Sequence, residues 1–287
     1  MEIIRVPTIM QDTSEAHVLR GRSIGFVPTM GSLHDGHLSL VRRAREENDV
    51  TIVSIFVNPI QFGPSEDFKN YPRDMEGDTG KLLKEQVDVL FIPEGSLMYP
   101  EGFSSHIEVE VISDRLCGAF RPGHFRGVAT VVGKLFHIVR PKRAYFGQKD
   151  YQQTLVIKRM ARDFDMNVEI VVCPTVREKD GLAMSSRNAY LDPDQRKAAA
   201  VLFKCLSEAS GAINKSAIID AKIIAEAMRE ALRNEPSVTA IQYAGLYDPL
   251  TLEEITEIEG DVLLAVAVKM GDTRLIDNML VTMRKER

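Results

Sequence analysis

The first 175 residues alternate short apolar runs with amphipathic stretches, and this alternation constrains the fold more than any other feature of the chain. Apolar runs separated by helical patterns are typical of βαβ units, in which helices cover both faces of a parallel sheet. The pattern therefore predicts a Rossmann-like, doubly wound α/β domain. Its predicted strands are residues 24–28, 50–57, 87–93, 143–146 and 168–173.

Helical patterns fill the intervals between these runs, at residues 37–48, 78–86, 127–140 and 151–164. In the third pattern, five valine and leucine side chains from Val128 to Val139 fall on one helical face. An open α/β sheet binds its ligand in the crevice outside the carboxyl ends of its strands. We therefore expect the functional site at that edge.

The composition changes after Asn188. Helical patterns at residues 194–213 and 216–234 precede strand-like runs at 239–247, 262–269 and 274–283, and Asp192-Pro193 forms a helix start. Helices followed by adjacent strands predict a small α+β domain with an antiparallel sheet. We divide the chain into a domain of residues 1–175 and a smaller C-terminal domain of residues 176–287.

The charge balance argues against a polyanion-binding protein. The chain has 36 Lys and Arg against 41 Asp and Glu, a net charge of −5, and no clustered basic block. Cys117, Cys173 and Cys205 lie far apart without CxxC spacing, which favours a reducing compartment. The N-terminus lacks the apolar core of a signal peptide. We expect a cytoplasmic protein that binds neither nucleic acid nor membrane.

The segment PTMGSLHDGH, residues 28–37, follows the first predicted strand and opens the first predicted helix. A helix N-terminus presents unpaired N–H groups and a positive dipole end, which favour phosphate. His34 and His37 are spaced to point the same way, and Gly36 leaves room for a nucleotide. The alternatives are a zinc pair or two unrelated surface histidines, but no third metal ligand lies nearby in the sequence.

Two further polar clusters follow predicted strands. GQKDYQQ, residues 147–153, places Lys149 for a phosphate and Gln153 one turn later for a polar substrate. KDGLAMSSRN, residues 179–188, combines a flexible turn at Gly181, hydroxyl groups and Arg187, and a loop of this kind can close over a triphosphate. Taken alone, the first would be a solvated helix start and the second a polar linker.

Several strings together resemble one family. PTMGSLHDGH, SIFVNPIQF, YPRD, RPGHFRGV, FGQKDYQQ and PTVREKDGLAMSSRNAYL occur in order, and LYDP and TRLIDNM extend the match toward the C-terminus. The HxGH element with its downstream MSSR loop is similar to the nucleotidyltransferase group that includes class I aminoacyl-tRNA synthetases. The whole series resembles the pantoate–β-alanine ligases, or pantothenate synthetases.

This resemblance implies an enzyme that condenses pantoate with β-alanine, using ATP as a substrate and Mg²⁺ as a cofactor. The pantoate carboxylate would attack the α-phosphorus and expel pyrophosphate. The β-alanine amine would then attack the enzyme-bound pantoyl adenylate and expel AMP. The family also implies a homodimer, with residues 1–175 binding the nucleotide and pantoate and residues 176–287 acting as a lid.

The resemblance also assigns residues to the ATP site. His37 is the implied proton donor to the departing group, beside His34 at the phosphates, while Lys149 and Arg187 complete the catalytic set and Asp150 binds the ribose. The implied ATP-binding residues are Met30, Gly31, Ser32, Leu33, His34, Asp35, Gly36, His37, Gly147, Gln148, Lys149, Asp150, Val176, Met184, Ser185, Ser186 and Arg187.

Gln61 and Gln153 match the family's pantoate-binding glutamines, and Gln61 also lies where β-alanine would be engaged. Asp78, at the start of a predicted helix, is the candidate magnesium ligand, although an Asp in this position also complements the helix dipole. For Arg121 and His124, pyrophosphate contact and structural support remain equally open.

Other functions use similar residues. A nucleotidylyltransferase acting on a phosphate ester shares the HxGH geometry, but its phosphorylated substrate would call for extra Lys or Arg near Gln61 and Gln153. A silent nucleotide-binding regulator would not require two histidines with Lys149 and Arg187. A tRNA synthetase would require a basic tRNA-binding domain.

Overall fold

A computed structural model describes residues 1–64, 66–215 and 220–282. The chain divides into two compact units. The first comprises Met1–Asp114, Arg121–Gln148 and Gln153–Pro174. The second comprises Arg115–Phe120, Lys149–Gln152 and Thr175–Arg287. The second unit also takes two short segments, Arg115–Phe120 and Lys149–Gln152, from within the predicted first domain of residues 1–175.

The first unit is built on a parallel sheet whose strands, within the described residues, follow the order β1-β4-β3-β2-β5-β6. The predicted Rossmann-like fold class is confirmed. The strands are β1 Glu2–Ile4, β2 Ile24–Thr29, β3 Val50–Ile55, β4 Val89–Phe91, β5 Arg143–Gly147 and β6 Glu169–Cys173. The helices are α1 Pro7–Leu19, α2 Asp35–Glu47, α3 Met75–Lys84, α4 Gly95–Met98, α6 His124–Val139 and α7 Tyr151–Asp163, and α5 Cys117–Phe120 belongs to the second unit.

The chain reverses its direction of strand addition at β2. From β2 it adds β3 and β4 on one side, and it later adds β5 and β6 on the other. Both β2–β3 and β2–β5 are parallel pairs. Because parallel strands end at the same edge, the segments that follow Thr29 and Gly147 leave the sheet side by side. This edge is the topological switch point at which doubly wound sheets bind ligands.

Burial explains which elements the sequence predicted. All six residues of β3 are buried, which matches the continuous apolar run VTIVSI, and α6 buries twelve of its sixteen residues. The strand β1 and helix α1 were not predicted. β1 has only three residues, and α1 exposes Ile9, Val18 and Leu19, so its apolar residues show little helical periodicity.

The second unit contains an antiparallel sheet in the order β7-β8-β9 within the described residues, together with the predicted helices. The helix predicted over residues 194–213 is two helices, and Asp192 caps the first by accepting from Gln195 N–H. The helix predicted over residues 216–234 begins at residues 216–219, which lie outside the described residues. The same holds for residue 283, the end of the strand predicted over 274–283. The elements are α8 Pro193–Ala198, α9 Val201–Lys215, α10 Ala221–Arg233, β7 Val238–Tyr247, β8 Val262–Met270 and β9 Thr273–Val281.

None of the helices in the described part of the chain has the length and apolarity that crossing a lipid bilayer requires.

A half-buried ion pair joins β9 to the start of the second unit's C-terminal segment. Arg177 donates from both terminal nitrogens to the two carboxylate oxygens of Asp277, at 2.6 and 3.0 Å. The same guanidinium donates to Gly181 O and stacks over the Phe203 ring, 4.5 Å from its centroid. The Asp277 side chain is 1 % exposed. This bidentate pair therefore holds the 177–181 turn in a defined position.

Asp277→Ala should lower the free energy of unfolding by about 3 kcal/mol, because it leaves the guanidinium without its charged partner. Denaturant unfolding measures this change. The control is Glu208→Ala, which removes an exposed pair with Lys204 at 3.9 Å and should cost about 0.5 kcal/mol or less. An equally small loss in both variants would show that the Arg177 pair does not stabilise this unit.

Candidate active site

The loop that follows β2 has a left-handed backbone at two consecutive residues. Gly31 has φ +85° and Ser32 has φ +51°. A Cβ atom on Gly31 would lie 3.0 Å from Ile55 Cγ2 and 3.1 Å from Asp78 Oδ2. Glycine therefore meets both a conformational and a steric requirement here. The turn delivers the chain directly to His34, which precedes the first turn of α2.

Asp78 holds this loop from α3. Its two carboxylate oxygens accept hydrogen bonds from Ser32 N–H and Leu33 N–H, both at 2.7 Å, and its side chain is 1 % exposed. Lys81, one turn later, donates to Leu33 O at 2.7 Å and lies 3.7 Å from Asp78. These contacts give Asp78 a loop-holding role that was not predicted. They do not test its predicted contact with magnesium, which stays a prediction.

The two histidines of the HxGH element lie together at the N-terminus of α2. Their ring centroids are 4.1 Å apart, and both residues are half-buried. His34 N–H donates to His37 Nδ1 at 3.4 Å. Because Nδ1 accepts this bond, the neutral His37 ring carries its proton on Nε2. His37 is therefore arranged as a hydrogen-bond donor through Nε2, beside the positive end of a helix dipole.

The second predicted segment of the first unit leaves the sheet at the same edge. Gly147 is the last residue of β5, the neighbour of β2, and Gln148 opens the short 3₁₀ turn Gln148–Asp150. The residues from Met30 to His37 and the pair Gly147–Gln148 thus follow the two strands on either side of the switch point. This is the crevice expected from the strand pattern.

Gln61 lies in a buried polar cluster after β3. It ends the 3₁₀ turn Pro59–Gln61 and is 8 % exposed. Its Oε1 accepts from Asn58 Nδ2 at 3.0 Å, and its Nε2 donates to Met30 Sδ at 3.2 Å. Met30 belongs to the loop after β2, so the structure brings the predicted pantoate ligand Gln61 to the predicted ATP loop.

Arg121 and His124 support the Gln61 turn. Arg121 donates to both carboxylate oxygens of Glu66, at 2.6 and 2.7 Å, and to His124 Nε2 at 2.9 Å. Since a guanidinium only donates, Nε2 accepts, and His124 Nδ1–H donates to Gln61 O at 2.8 Å. Burial alone would raise the pKa of Glu66, but Arg121 holds that pKa below its usual value. These contacts favour structural support over the pyrophosphate alternative for both residues.

Lys149 and Asp150, which follow Gln148, belong to the second unit. Lys149 is half-buried, and its carbonyl oxygen accepts from Asn278 Nδ2 at 2.8 Å, while Asp150 is exposed. Asn278 follows Asp277, the partner of Arg177. Asn278 of β9 therefore holds the backbone of Lys149, the predicted phosphate-binding lysine.

The segment from Val176 to Met184 forms a hairpin. Met184 N–H donates to Val176 O, and Arg177 pairs with Ala183 in an antiparallel bridge. Gly181, at its tip, has φ +91°, and a Cβ atom there would lie 2.0 Å from the Phe203 ring. We interpreted this glycine from the sequence as part of a flexible turn. In the structure it is buried, and its backbone conformation and close packing require it.

The predicted phosphate-binding loop follows this hairpin. Ser185 precedes the 3₁₀ turn Ser186–Tyr190, and its Oγ accepts from Arg187 N–H at 3.3 Å. Asn188 donates to Glu178 Oε1 and Ala183 O, which ties the turn back to the hairpin. Val176, Met184, Ser185, Ser186 and Arg187 are all half-buried and lie within this one segment.

The two glutamines at the start of α7 have different environments. Gln152 is 5 % exposed, accepts from Cys117 N–H and donates to Arg115 O, which is a structural role in the second unit. Gln153 is half-buried and belongs to the first unit, as the predicted substrate ligand.

The sequence missed residues that hold predicted site residues in each unit. In the first unit these are Asn58, which bonds Gln61, and Tyr99, whose hydroxyl donates to Asn58 Oδ1. In the second unit they are Asp277, which pairs with Arg177, and Asn278, which donates to Lys149 O. Each contacts a residue remote in sequence, so no local spacing indicates its role. Asn58 and the Asp277–Asn278 pair do lie in strings that resemble the family. Within the described residues, no three His, Cys, Asp or Glu side chains are grouped to hold a metal ion.

Comparisons with known proteins agree with this geometry. The sequence model of the family described as pantoate-beta-alanine ligase matches residues 2–280. The pantothenate synthetase of Thermodesulfovibrio yellowstonii is 58 % identical over 98 % of this chain and 100 % of its own length. That of Moorella thermoacetica is 52 % identical over 98 % and 99 %.

Solved structures are similar over almost the whole chain. A pantothenate synthetase from Thermus thermophilus has a TM-score of 0.93 at 45 % identity, covering 99 % of this chain and 100 % of that one. A pantoate-beta-alanine ligase from Francisella tularensis, complexed with β-γ ATP and β-alanine, has a TM-score of 0.79 at 36 % identity, covering 98 % and 97 %. The chain therefore belongs to the pantoate-beta-alanine ligase family.

Proposed function

We propose that this protein condenses pantoate with β-alanine to form pantothenate, converting ATP to AMP and pyrophosphate through an enzyme-bound pantoyl adenylate. The observation that carries the proposal is the HxGH loop at the switch point of a chain that matches the ligase family over residues 2–280. The Francisella tularensis relative was solved with β-γ ATP and β-alanine. That complex supports ATP and β-alanine as two of the three substrates.

In the first step, the pantoate carboxylate attacks the α-phosphorus of ATP and pyrophosphate leaves. Negative charge grows on the α-phosphoryl oxygens and on the departing oxygen. His37, with its proton on Nε2, and His34 supply hydrogen bonds that strengthen as this charge develops. In the second step, the β-alanine amine attacks the acyl carbonyl of the adenylate and AMP leaves.

The remaining predicted ligands fit the same roles by their chemistry. We assign phosphate contacts to Lys149, Ser185, Ser186 and Arg187, and the ribose contact to Asp150. The backbone of Lys149 is held by Asn278, and Ser185 and Arg187 are joined by a hydrogen bond. Such fixed positions reduce the reorganisation that catalysis requires. A lid role for residues 176–287 is part of this proposal.

We propose that magnesium binds together with ATP, and that protein side chains do not hold the ion on their own. Asp78 is buried and both its oxygens accept backbone N–H groups, and no larger ligand group is present among the described residues. We therefore propose that Asp78 holds the loop and does not itself bind the ion, which departs from the magnesium-ligand prediction. We further propose a cytoplasmic homodimer that binds neither nucleic acid nor membrane, as the family resemblance and the acidic composition favour.

The deciding assay supplies ATP, Mg²⁺ and pantoate with and without β-alanine, and follows AMP and pantothenate. With β-alanine present, we expect AMP and pantothenate to accumulate in equal amounts over many turnovers. Without β-alanine, neither product should accumulate. A protein that instead transfers AMP to a phosphate ester would form no pantothenate, and it would release pyrophosphate over repeated turnovers only when a phosphate ester is supplied in place of pantoate. That outcome would replace the ligase by a nucleotidylyltransferase.

His37→Ala should lower kcat by about 100-fold or more, the scale expected for a preorganised donor to developing charge. Steady-state kinetics of pantothenate formation measure this loss. The control is His17→Ala, because His17 lies near the end of α1 and contacts Arg22, which precedes β2 at the opposite, amino edge of the sheet. A near-normal kcat in His37→Ala would remove this residue from the transition state.

Asp78→Asn should lower the free energy of unfolding by about 1–3 kcal/mol, because the Asn NH₂ group would face a backbone N–H and leave it unpaired. It should also lower kcat/KM for ATP without changing the Mg²⁺ concentration that gives half-maximal rate.

The control is Asp74→Asn, since Asp74 caps α3 and Asn caps helices equally well. Thermal unfolding and a Mg²⁺ titration are measured for each variant. An increased Mg²⁺ requirement confined to Asp78→Asn would return Asp78 to the metal-ligand role.

A further inference from the structure

The orientation of the buried Asn58 amide is set by a backbone carbonyl. Asn58 is 1 % exposed, and its Nδ2 lies 3.1 Å from Gly127 O in the first turn of α6. A carbonyl oxygen only accepts hydrogen bonds, so the Asn58 atom that faces it must be the nitrogen. Asn58 Oδ1 then faces the other way, toward Tyr99.

Tyr99 completes the hydrogen bonding of Asn58. Its hydroxyl donates to Asn58 Oδ1 at 2.7 Å. Burial raises the pKa of Tyr99, so the hydroxyl keeps its proton throughout the neutral range. The ring is packed against Phe56 and Phe103, with centroids 6.1 and 5.0 Å away. These ring contacts would hold the side chain in place even without the hydroxyl.

The same chain of hydrogen bonds sets the orientation of Gln61. The second N–H of Asn58 Nδ2 points at Gln61, 3.0 Å away, so the Gln61 atom in contact must be the acceptor Oε1. Gln61 Nε2 is therefore directed toward Met30 Sδ, at 3.2 Å. A thioether sulfur is a weak acceptor, so a substrate oxygen can take over this N–H at little cost.

We propose that Tyr99 is a positioning residue for substrate binding, which acts through Asn58 to hold Gln61 with its NH₂ group facing the substrate. The proposal rests on the proposed ligase function. In this orientation Gln61 presents the N–H donors of Nε2 to the substrate. Through Nε2 it binds carboxylate or hydroxyl oxygen atoms of pantoate, and any contact of Nε2 with β-alanine is to the carboxylate of β-alanine.

Tyr99→Phe tests this relay, by which we mean the hydrogen bonds that link Tyr99 to Asn58 and Asn58 to Gln61. It removes the donor to Asn58 Oδ1 and keeps the packed ring. We expect KM for pantoate to rise about tenfold, the scale of one buried hydrogen bond. We expect kcat and KM for ATP to change less than twofold. Steady-state kinetics with each substrate varied in turn measure all three constants.

The matched control is Tyr145→Phe. Tyr145 is a buried tyrosine of the first unit whose hydroxyl accepts from Asn48 Nδ2 at 2.7 Å and donates to Glu47 Oε2 at 2.8 Å. Tyr145→Phe should lower the thermal unfolding midpoint as Tyr99→Phe does, while leaving KM for pantoate unchanged. An equal rise of KM in both variants would mean that general loosening, and not the relay, affects pantoate.

A double-mutant cycle separates positioning from a purely structural role. If Tyr99 acts through Gln61, Tyr99→Phe should lower kcat/KM for pantoate about tenfold in the native background and less than twofold in Gln61→Ala. Equal losses in both backgrounds would overturn the proposal. Asn58→Asp, which places an acceptor against Gly127 O and Gln61 Oε1, serves the same cycle if Tyr99→Phe does not fold.

The activity of the native protein distinguishes a failure of the proposed function from a failure of the Tyr99 proposal. If it forms no pantothenate from pantoate, β-alanine and ATP, the proposed function fails and the relay fails with it. If the native protein is active and Tyr99→Phe has native KM for pantoate, only the relay is wrong.

Discussion

The parallel pairing of β2 with β5 is the constraint on which the site of the first unit depends. β2 already pairs with β3 on its other side, so adding β5 reverses the direction in which the sheet grows. At such a reversal the connecting helices leave on opposite faces, and a crevice remains at the carboxyl edge. The HxGH loop and Gly147 open into this crevice because they are the next residues along the two strands. The position of the site follows from topology before any side chain is considered.

In each unit, the predicted site residues are held mainly through their backbones. Asp78 accepts from the N–H groups of Ser32 and Leu33, His124 donates to Gln61 O, and Asn278 donates to Lys149 O. A backbone contact fixes the position of a residue and leaves its side chain for the ligand. The supporting groups come from α3, α6 and β9, far away in sequence. Such support is expected wherever catalysis depends on donors that do not reorganise during the reaction.

The sequence predicted the buried strands and the HxGH segment, and it missed the contacts between segments that lie far apart in the sequence. The strands β2 and β3 follow from their apolar runs, and the HxGH segment follows from its position between a strand and a helix. The sequence singled out Asp78 as a metal ligand, which stays a prediction, and missed its hold on the loop after β2. A carboxylate near a helix start has the same sequence pattern whether it faces solvent or a neighbouring loop. Gly181 was interpreted as flexible, since a glycine required by a left-handed φ and by Phe203 has no distinct local pattern.

A buried carboxylate beneath a site proposed for a triphosphate would repel the phosphates, but the contacts of Asp78 limit its effect. Its two oxygens are engaged by Ser32 and Leu33 N–H, and Lys81 lies 3.7 Å away, so its charge is locally balanced. Those two N–H groups are consequently unavailable to ATP. Under the proposed function, phosphate recognition in the first unit would fall to the first turn of α2 and to the imidazoles of His34 and His37. This division of donors would account for the two histidines of the loop, because the backbone nest that a phosphate would otherwise occupy already holds a carboxylate.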